Sequence, residues 1–418
     1  MAEEQNRRRA IRPGEPDSPR IQHDPFPEPV EGSRPTLRQA HGTGDVWRIR
    51  TLAAARQVLR QRTRTTQAGF TAEAIPRGYF TKHPILISDG PEHDEQRSKV
   101  ARFLAPTVVA ERYTALMEVC ADRLLDAAPD LVQLDDLALL YTVEVTAEVV
   151  GLTSAPVPKM AKRLVSFFNQ PPFDITKPDL GRTPRQWASA AWNGLLPIVR
   201  FWLADVRPAV RTRRRAPQRD VISHLIAEGY SNADILVECV TYGTAGMVTT
   251  REFVAMAAWH LLTDDALRER YLVAEAPERT AILHELIRLE PIVGHLYRRV
   301  QEAFDITDGD DTLTVAKGDL IDLCIRPANA DPESVGEDPL GICPYRPLPS
   351  GVGQAGLSFG DGAHKCPGQP LAILESDVLL TRLLARNPVI VREPTIGWDD
   401  LIAGYYLRDF QVRLTAPV

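Results

Sequence analysis

A cysteine set among glycines near the end of the chain is the residue best suited to chemistry. Cys366 lies in the run Phe359-Gly360-Asp361-Gly362-Ala363-His364-Lys365-Cys366-Pro367-Gly368. Glycines allow a tight backbone turn beside a flat ligand, and backbone amides around a sulfur favour its ionised form. An aromatic ring at Phe359 offers an apolar flank. The pattern indicates a thiolate presented to a haem iron; the alternative is a glycine-rich loop around a buried cysteine.

The whole run resembles the haem-binding signature Phe-x-x-Gly-x-x-x-Cys-x-Gly of the cytochrome P450 family, the haem-thiolate monooxygenases. Every fixed position of that signature is matched. The resemblance implies a mainly α fold with small β-sheets, in which haem b lies between a long distal helix and a proximal cysteine loop. It implies that Cys366 is the iron ligand. It also implies that neighbouring loop residues contact the haem, namely Phe359, Gly360, His364 and Gly368.

Composition limits the classes of function open to the chain. Its 418 residues, 44% hydrophobic and 25% charged, are ordinary for a globular protein of one large or two modest domains. A formal net charge of −6 gives no broad attraction for nucleic acid. Five cysteines without a CxxC pair suggest neither a disulfide framework nor a zinc site. Together with the lack of a membrane anchor, this predicts a cytoplasmic protein. The strong bias of the basic residues toward arginine indicates a bacterial source.

Domain organisation follows from a change in composition near residue 45. Residues 1–44 are rich in proline and predict an extended or disordered leader. Residues 45–418 resemble a single P450 catalytic domain. Residues 46–49 predict a strand that leads into a helix at 51–59. Further patterns are helical at 112–125, 143–150 and 190–206 and strand-like at 313–315 and 320–323.

The longest predicted helix begins at the capping box Ser231-Asn232-Ala233-Asp234 and ends near Leu262. Its middle, residues 243–250, carries two glycines and several β-branched residues, which a stable helix would avoid. One explanation is close helix packing, with threonines bonded back to carbonyls. Together with the cysteine loop, the segment instead predicts a local opening over the haem. There Gly246 leaves room for dioxygen and Thr249 offers its hydroxyl to bound oxygen.

The same segment resembles the family's distal-helix motif Ala/Gly-Gly-x-Asp/Glu-Thr-Thr/Ser, with Ala245, Gly246, Thr249 and Thr250 at matching positions. Val248 stands where the motif has an acid. In the family that acid helps to feed protons to bound oxygen, so the valine leaves three routes open. Water or substrate groups supply the protons, hydrogen peroxide replaces dioxygen, or the chemistry is not simple hydroxylation. The retained Thr249 favours oxygen activation of some kind.

A second family motif, Glu-x-x-Arg, is matched by Glu285 and Arg288 at a suitable distance before Cys366. Residues at i and i+3 share one helix face. The plain alternative is a surface ion pair worth less than about 1 kcal/mol. The resemblance implies a structural brace for the haem-side core, with Arg346 as its third member.

Haem carries two propionate carboxylates, which need cationic or hydrogen-bonding partners. His93 and Arg97, spaced i and i+4, resemble the family's His-x-x-x-Arg motif. Arg298 or Arg299 follows the Glu-x-x-Arg helix at the family's distance, and His364 precedes the cysteine by two residues. The resemblance implies that these side chains contact haem, whereas each one alone is typical of a solvated or satisfied polar group.

The substrate pocket is implied by resemblance alone. Its candidate residues are Thr241, Thr244, Ala245 and Val248 of the distal helix, the loop 67–79, and residues 292–296, which include Val293. These are mixed aliphatic and small polar groups with few charges. They predict a mostly apolar substrate of moderate size.

The chain carries no flavin or nicotinamide motif, so its electrons are expected from outside. A ferredoxin and its reductase are the natural donors, docking where Arg97, Lys99, Arg102 and Lys365 offer positive charge. The leading prediction is a dioxygen-dependent monooxygenase of secondary-metabolite biosynthesis. One alternative is a haem-thiolate enzyme of another type, such as peroxide-driven oxidation, nitration, oxidative coupling or nitric oxide reduction. The other is a haem-binding or recruitment protein without turnover.

Overall fold

The computed structural model describes residues 37–39, 45–69 and 84–415. The other parts of the predicted leader, and residues 70–79 of the predicted pocket loop, lie outside the described residues. The α-helices are α1 (Leu52–Leu59), α2 (Gly90–Leu104), α3 (Pro106–Asp126), α4 (Leu134–Val150), α5 (Val157–Val165), α6 (Pro184–Phe201), α7 (Arg207–Arg215), α8 (Val221–Ala227), α9 (Asn232–Tyr242), α10 (Thr249–Thr263), α11 (Asp265–Val273), α12 (Ala276–Leu289), α13 (Ile325–Asn329), α14 (Pro332–Val335) and α15 (Gln369–Leu384).

Two helices continue into wider π-helical turns, α6 at Trp202–Val206 and α9 at Gly243–Val248. The strands are short. They are β1 (Leu37–Gln39), β2 (Val46–Ile49), β3 (Thr65–Gln67), β4 (Leu131–Gln133), β5 (His295–Val300), β6 (Phe304–Asp308), β7 (Asp311–Val315), β8 (Leu320–Cys324), β9 (Val389–Arg392), β10 (Thr395–Asp399), β11 (Gly404–Arg408) and β12 (Gln411–Arg413). This mainly helical architecture with small sheets agrees with the predicted fold class.

The chain divides into two compact units, each assembled from distant parts of the sequence. The strand-rich unit consists of Met1–Glu73, Met256–Cys366 and Pro394–Arg408. The helical unit consists of Ala74–Ala255, Pro367–Glu393 and Asp409–Val418. One boundary falls inside α10, and another falls directly after Cys366. The single catalytic domain over 45–418 stays a prediction.

The strand-rich unit is built on a five-stranded sheet of order β1-β2-β8-β5-β3. β2 pairs with β8 in parallel, and the Trp47 indole on β2 donates a hydrogen bond of 2.8 Å to Asp319. β1 pairs antiparallel with β2, so this part of the predicted leader is a strand. The unit also holds the hairpins β6-β7 and β10-β11. The strands expected at 46–49, 313–315 and 320–323 are confirmed.

The helical unit has a three-stranded sheet of order β4-β12-β9 and a core of packed helices. The capping box that begins α9 is confirmed, since the Asp234 amide donates to the Ser231 hydroxyl at 3.2 Å and the Asp234 carboxylate accepts from Ser231. The patterns at 112–125 and 143–150 lie in α3 and α4. Within the described residues, no helix combines the length and apolar character needed to cross a membrane.

Candidate active site

The cysteine loop belongs to the strand-rich unit and is closed by its own backbone. The Cys366 amide donates to the Phe359 carbonyl at 2.8 Å, and the Gly360 amide donates to Leu357 at 2.8 Å. Gly360 and Gly362 have φ of 70° and 67°, a region that favours glycine. A Cβ on Gly362 would lie 2.3 Å from the Leu59 carbonyl oxygen. The turn therefore requires glycine at 362 for both conformation and space.

Asp361 fastens this loop to α1. Its carboxylate accepts from Arg56 at 2.9 Å and from Arg60 at 3.1 Å, and it also accepts from the Gly362 amide at 2.7 Å. Burial would raise the pKa of Asp361, but the bonds from Arg56, Gly362 and Arg60 outweigh burial and lower the pKa. Asp361 is therefore a charged anchor between the loop and the first helix.

The five cysteines differ in exposure. Burial raises the pKa of the Cys120 thiol to about 12 and also raises that of Cys239, and Cys324 is buried as well. Buried thiols of this kind are poor nucleophiles. Cys343 and Cys366 are exposed. Of these two, Cys366 alone sits on the glycine turn, so the alternative of a buried structural cysteine does not describe it.

The Glu-x-x-Arg pair is fully buried, so the surface ion pair is excluded. Arg288 donates to both Glu285 oxygens at 2.6 and 2.9 Å, and both residues are 0% exposed. Arg346 donates to Glu285 at 3.2 Å, as expected from the sequence. Arg346 also bonds to the carbonyls of Val335, Glu337, Asp338 and Gly341. Burial with so many partners makes this network rigid.

Asn329 connects this network to the cysteine loop. Its amide donates to the Arg288 carbonyl at 2.9 Å, and its oxygen accepts from the Leu357 amide at 2.6 Å. It also donates to Ser358, whose hydroxyl bonds to the Ile287 carbonyl. The helix that carries Glu285 and the segment leading to Cys366 are therefore joined by buried hydrogen bonds.

The distal helix belongs to the helical unit up to residue 255 and opens where the sequence predicts. Its π-helical turn spans Gly243–Val248, between α9 and α10. The Thr249 hydroxyl donates to the Ala245 carbonyl at 2.6 Å, and Thr250 donates to Gly246 at 2.7 Å. From α4, Thr142 donates to the Met247 carbonyl at 2.8 Å. Side-chain hydroxyls thus satisfy carbonyls that the wider turn leaves without regular helical partners.

The two glycines of this turn differ in their surroundings. A Cβ on Gly243 would lie 2.6 Å from the Leu164 side chain, so close helix packing explains Gly243. A Cβ on Gly246 would meet Thr146 at 3.6 Å, which is ordinary contact. Packing within the helical unit therefore does not require glycine at 246. Close packing therefore explains Gly243, and the role of Gly246 in leaving room for dioxygen stays a prediction.

The other candidate residues are distributed over both units. His93 and Arg97 lie on α2 of the helical unit, and His93 is 2% exposed. Arg298 lies on β5 of the strand-rich unit, 4% exposed, and donates to the Tyr297 carbonyl at 2.9 Å. His364 forms part of the short turn Gly362–His364. Among the pocket candidates Val248 is buried, Ala245 is exposed, and Thr241, Thr244 and Val293 are partly buried.

Some of the basic side chains expected to receive a redox partner are already bonded to other side chains of this protein. Lys99 forms ion pairs with Glu95 at 2.7 Å and Glu228 at 3.4 Å. Arg102 contacts the His224 ring. These contacts reduce the positive charge available at Lys99, which the sequence pattern could not show because Glu228 is distant in the chain.

The sequence did not single out a buried cluster on β5 and β8. His295 Nδ1 lies 2.7 Å from Asp322 Oδ1, and their potential ligand atoms and that of Cys324 lie within 4.8 Å of one another. These residue types can hold a metal ion. Arg48 lies 3.5 Å from Asp322, and its positive charge would oppose a cation there. Only the pairing of β5 with β8 reveals this cluster.

Glu375 on α15 was also missed. It is 1% exposed, and its Oε2 atom has no hydrogen-bond partner among the described residues. Its side chain bonds with Thr250 of the distal helix. The available signal was an acid within the apolar run from Leu371 to Leu384.

The arrangement in each unit fits a haem with a thiolate ligand. Cys366 offers an exposed sulfur on a rigid turn, and Arg298 is a buried cation of the type that binds carboxylates. Comparison with known proteins decides the family. The family model "Cytochrome P450" matches residues 273–395, which include the Glu285 network and the cysteine loop.

Relatives extend the match over most of the chain. "Cytochrome P450 130" of Mycobacterium tuberculosis is 28% identical over 407 residues, 92% of this chain and 90% of that protein. The chain belongs to the cytochrome P450 family. "Erythromycin C-12 hydroxylase" of Saccharopolyspora erythraea is 27% identical and covers 82% of both chains. This P450 is therefore an oxidoreductase of the monooxygenase type that binds haem through a cysteine thiolate.

Solved structures support the fold. A mutant of P450 EryK in complex with erythromycin B has a TM-score of 0.74 at 22% identity, covering 93% of this chain and 95% of that chain. Mycobacterium smegmatis CYP164A2 in the ligand-free state has a TM-score of 0.70 at 25% identity, covering 88% and 91%.

Proposed function

We propose that this P450 inserts an oxygen atom from dioxygen into a mostly apolar small molecule and that Cys366 is its iron ligand. The observation that carries the proposal is the exposed Cys366 sulfur on a turn closed by the bond from its amide to Phe359. Haem bound through a thiolate supplies oxygen activation, because the thiolate favours cleavage of the O–O bond.

The chain's own residues then have separate tasks. The Thr249 hydroxyl offers a polar group at the opened turn, and Gly246 leaves space beside it. His93 and Arg97 in the helical unit, and Arg298 and His364 in the strand-rich unit, would hold haem propionates through charge-assisted hydrogen bonds. Phe359, Gly360 and Gly368 line the cysteine side.

The buried network of Glu285, Arg288 and Arg346 holds the cysteine loop in position. The support is the path of hydrogen bonds through Asn329 to the Leu357 amide. A loop held in this way keeps the Cys366 sulfur at a constant position, where it would hold the haem iron without reorganisation of the loop.

The substrate class is inferred from the pocket candidates and from related proteins. Thr241, Thr244, Val248 and Val293 carry no charge, which favours an apolar substrate of moderate size. One relative is named as an erythromycin hydroxylase, and one structural neighbour was captured with testosterone. We infer a mostly apolar substrate of moderate size and a role in secondary-metabolite biosynthesis.

Electrons come from a separate ferredoxin and its reductase, since the chain carries no flavin or nicotinamide motif. Arg97, Lys99, Arg102 and Lys365 offer positive charge to an acidic ferredoxin. We expect the two glutamates paired with Lys99 to reduce the contribution of Lys99 to docking.

The spectrum of the reduced carbon monoxide complex tests the ligand assignment. Wild type and Cys343→Ser should both show the red-shifted Soret band of a thiolate-ligated haem, and Cys366→Ala should lose it. Cys343 is the matched control because it is the other exposed cysteine. A thiolate band that survives in Cys366→Ala would show that another residue holds the iron.

A second candidate function rests on Val248, which is 3% exposed and occupies the place of the family's acid. On this second candidate, the enzyme uses peroxide or performs a reaction other than hydroxylation, whereas the first candidate requires that water or substrate groups supply the protons. One structural neighbour, with 19% identity, is described as an enzyme for C–S bond formation. Product analysis with dioxygen and reductant, and separately with hydrogen peroxide, distinguishes the two: product from peroxide alone would favour this second candidate.

A further inference from the structure

The outer face of one long helical segment exposes large apolar side chains in a row. The segment consists of α6, the π-helical turn Trp202–Val206 and α7, which follow one another directly from Pro184 to Arg215. The exposed side chains are Trp192, Leu195, Val199 and Leu203, at 67%, 67%, 47% and 52%. Successive members are three or four residues apart, so they lie along one face over about 17 Å. These four side chains form the apolar stripe.

Packing of the helical unit does not require the apolar stripe. The inner face of the same segment supplies the core with Phe201, Val206, Ala209 and Val210, each at most 2% exposed. A helix at the surface of a globular protein needs one apolar face, whereas this segment has two. Exposed apolar side chains that lie together, unlike scattered ones, mark an interaction surface.

Arginines surround the apolar stripe and are the only exposed charged side chains of the segment. They are Arg185 before the stripe, Arg200 within its length, and Arg207, Arg211, Arg214 and Arg215 after it. None of them forms an ion pair with another residue that the structure describes. The one acid of the segment, Asp205, is buried and bound to Arg163 at 2.6 Å. The outer face is therefore cationic on a chain whose formal net charge is −6.

The chemistry of this face indicates what covers it. Its charged groups are guanidinium groups, which donate hydrogen bonds and accept none. From Arg185 to Arg211 the segment is about 39 Å long. A layer of anionic lipid headgroups complements such a face, because its phosphates accept hydrogen bonds along the whole length and its acyl chains lie just below them. A globular protein instead presents donors among its acceptors, and those donors would face the arginines.

A second copy of the chain complements this face poorly. Two such segments packed antiparallel through their apolar stripes would bring Arg185 of one copy beside Arg207 and Arg211 of the other. Parallel packing would bring each arginine beside its own equivalent. Like charges held opposite each other disfavour both arrangements.

We propose that this segment lies on an anionic membrane surface, with the apolar stripe inserted between the headgroups and the arginines bound to lipid phosphates. Interfacial helices bury their apolar face about 5–10 Å into the boundary between headgroups and acyl chains. Such a contact is peripheral and requires no spanning helix. The inference goes beyond the proposed function. It places the enzyme at the lipid layer in which apolar molecules collect.

Sedimentation of the haem-loaded protein with vesicles tests the membrane contact. Vesicles that contain phosphatidylglycerol should bind wild type, and vesicles of phosphatidylcholine alone should bind it about tenfold more weakly or less. Added salt should weaken binding to the anionic vesicles, because it screens exposed charges. Equal binding to both kinds of vesicle, or no binding at low salt, overturns the inference.

Charge variants assign the contact to this segment. Arg207→Glu with Arg211→Glu should weaken binding to the anionic vesicles by about tenfold or more. Arg268→Glu with Arg270→Glu is the control, because these arginines of α11 give the same change in net charge. Reduced carbon monoxide spectra should be the same in both double variants. An equal loss of binding in the two would reflect net charge alone and overturns the inference.

Apolar variants test insertion of the stripe. Trp192→Ala should weaken binding to the anionic vesicles, whereas Val119→Ala, at another side chain that is 67% exposed, should bind as wild type does. Trp192→Phe remains apolar and should keep its binding. Lipids with brominated acyl chains should quench part of the tryptophan fluorescence of wild type, and that part should be missing in Trp192→Phe. Unchanged quenching in Trp192→Phe overturns the insertion of Trp192 and with it the inference.

Two other occupants of this face are outcomes of the same set of variants. A dimer that forms without vesicles and that Trp192→Ala dissociates would assign the face to a second copy. Binding to an acidic helical protein, with acyl carrier protein as the probe, that is tighter than binding to the anionic vesicles would assign it to a protein partner. Either result overturns the inference. Vesicle binding uses no substrate, dioxygen or reductant, so its failure leaves the proposed function intact, and failure of turnover leaves this inference intact.

Discussion

The cysteine side and the oxygen side of this P450 are built in opposite ways. In the strand-rich unit, Glu285 and Arg288 are 0% exposed, and their hydrogen bonds lead through Asn329 to the loop of Cys366. In the helical unit, the turn Gly243–Val248 is opened, and hydroxyls of the same helix satisfy its carbonyls. Many buried hydrogen bonds hold the cysteine loop in one geometry. The opened turn instead leaves space in the helix and carries hydroxyl groups that can transfer protons.

This contrast explains where the sequence departs from the family motifs. The cysteine signature is matched at every fixed position. In the structure Gly360 and Gly362 adopt positive φ, and the bond from the Cys366 amide to Phe359 closes the turn that carries the sulfur. The distal motif is changed at Val248. At the opened turn the hydroxyls of Thr249 and Thr250 are retained, bonded to the carbonyls of Ala245 and Gly246, whereas the acid is not.

The largest expected effect is at the buried brace. Arg288→Ala leaves Glu285 buried without its main partner, and loss of one member of a buried pair costs about 3–5 kcal/mol. We expect Glu285→Ala and Arg288→Ala to yield little haem-loaded protein. Glu278→Ala on the same helix is the control, because its ion pair with Arg270 is exposed and worth less than about 1 kcal/mol. Unfolding midpoints and haem content give the comparison, and normal values in both brace variants would contradict the bracing role.

The brace also shows what sequence alone could predict. Glu285 and Arg288 are one helical turn apart, and Arg346 was placed beside them through the order of family motifs. The helix start at Ser231 could be predicted because a capping box is a local signal. These features depend on neighbours in sequence or on a recognised motif.

Other features depend on contacts between distant segments. The Glu375 contact with Thr250 joins α15 to the distal helix, and no periodicity indicates it. His295 and Asp322 meet only because β5 pairs with β8. The strand β1 lies in a proline-rich segment and forms through main-chain bonds to β2, for which composition gives no signal.

A second prediction tests the oxygen side. Val248→Glu places an acid at a position that is 3% exposed, and burial of such a group without a partner costs about 2–3 kcal/mol. If proton delivery is all that the valine limits, coupling of electrons to product should rise with unchanged substrate binding. Val248→Gln is the control, with similar shape and no proton to release. Loss of both binding and product in Val248→Glu alone would favour specialised chemistry at this site.

A third prediction separates the two glycines of the opened turn. Gly243→Ala would place a Cβ 2.6 Å from Leu164, so we expect a loss of about 1–3 kcal/mol through overpacking. Gly246→Ala meets only ordinary contact with Thr146 and should leave the unfolding midpoint nearly unchanged. Its effect should appear in the binding of carbon monoxide or dioxygen to the reduced haem. If Gly246→Ala lowered the unfolding midpoint but left gas binding normal, the role of Gly246 would be helix packing and not space for a gas ligand.

The smallest expected effect concerns the anchor of the cysteine loop. The pKa of Asp361 is lowered below its ordinary value of about 3.9. A lowered pKa in the folded state means that the carboxylate contributes stability above the ordinary value and loses it as pH falls through the folded pKa. Asp361→Asn should therefore cost about 1 kcal/mol or less at neutral pH. It should also make stability less dependent on pH below about 4.

Amide hydrogen exchange at Gly362 and Cys366 locates this effect, because both amides lie in the loop that Asp361 fastens. Arg56→Gln removes a partner of the same carboxylate, so the double variant should lose less than the sum of the two single variants. Faster exchange at Cys366 without a change in the Glu285 network would show that the loop has its own local anchor. Equal acid sensitivity of wild type and Asp361→Asn would mean that the Arg56 and Arg60 contacts add nothing to the hold on the cysteine, leaving the buried brace as its support.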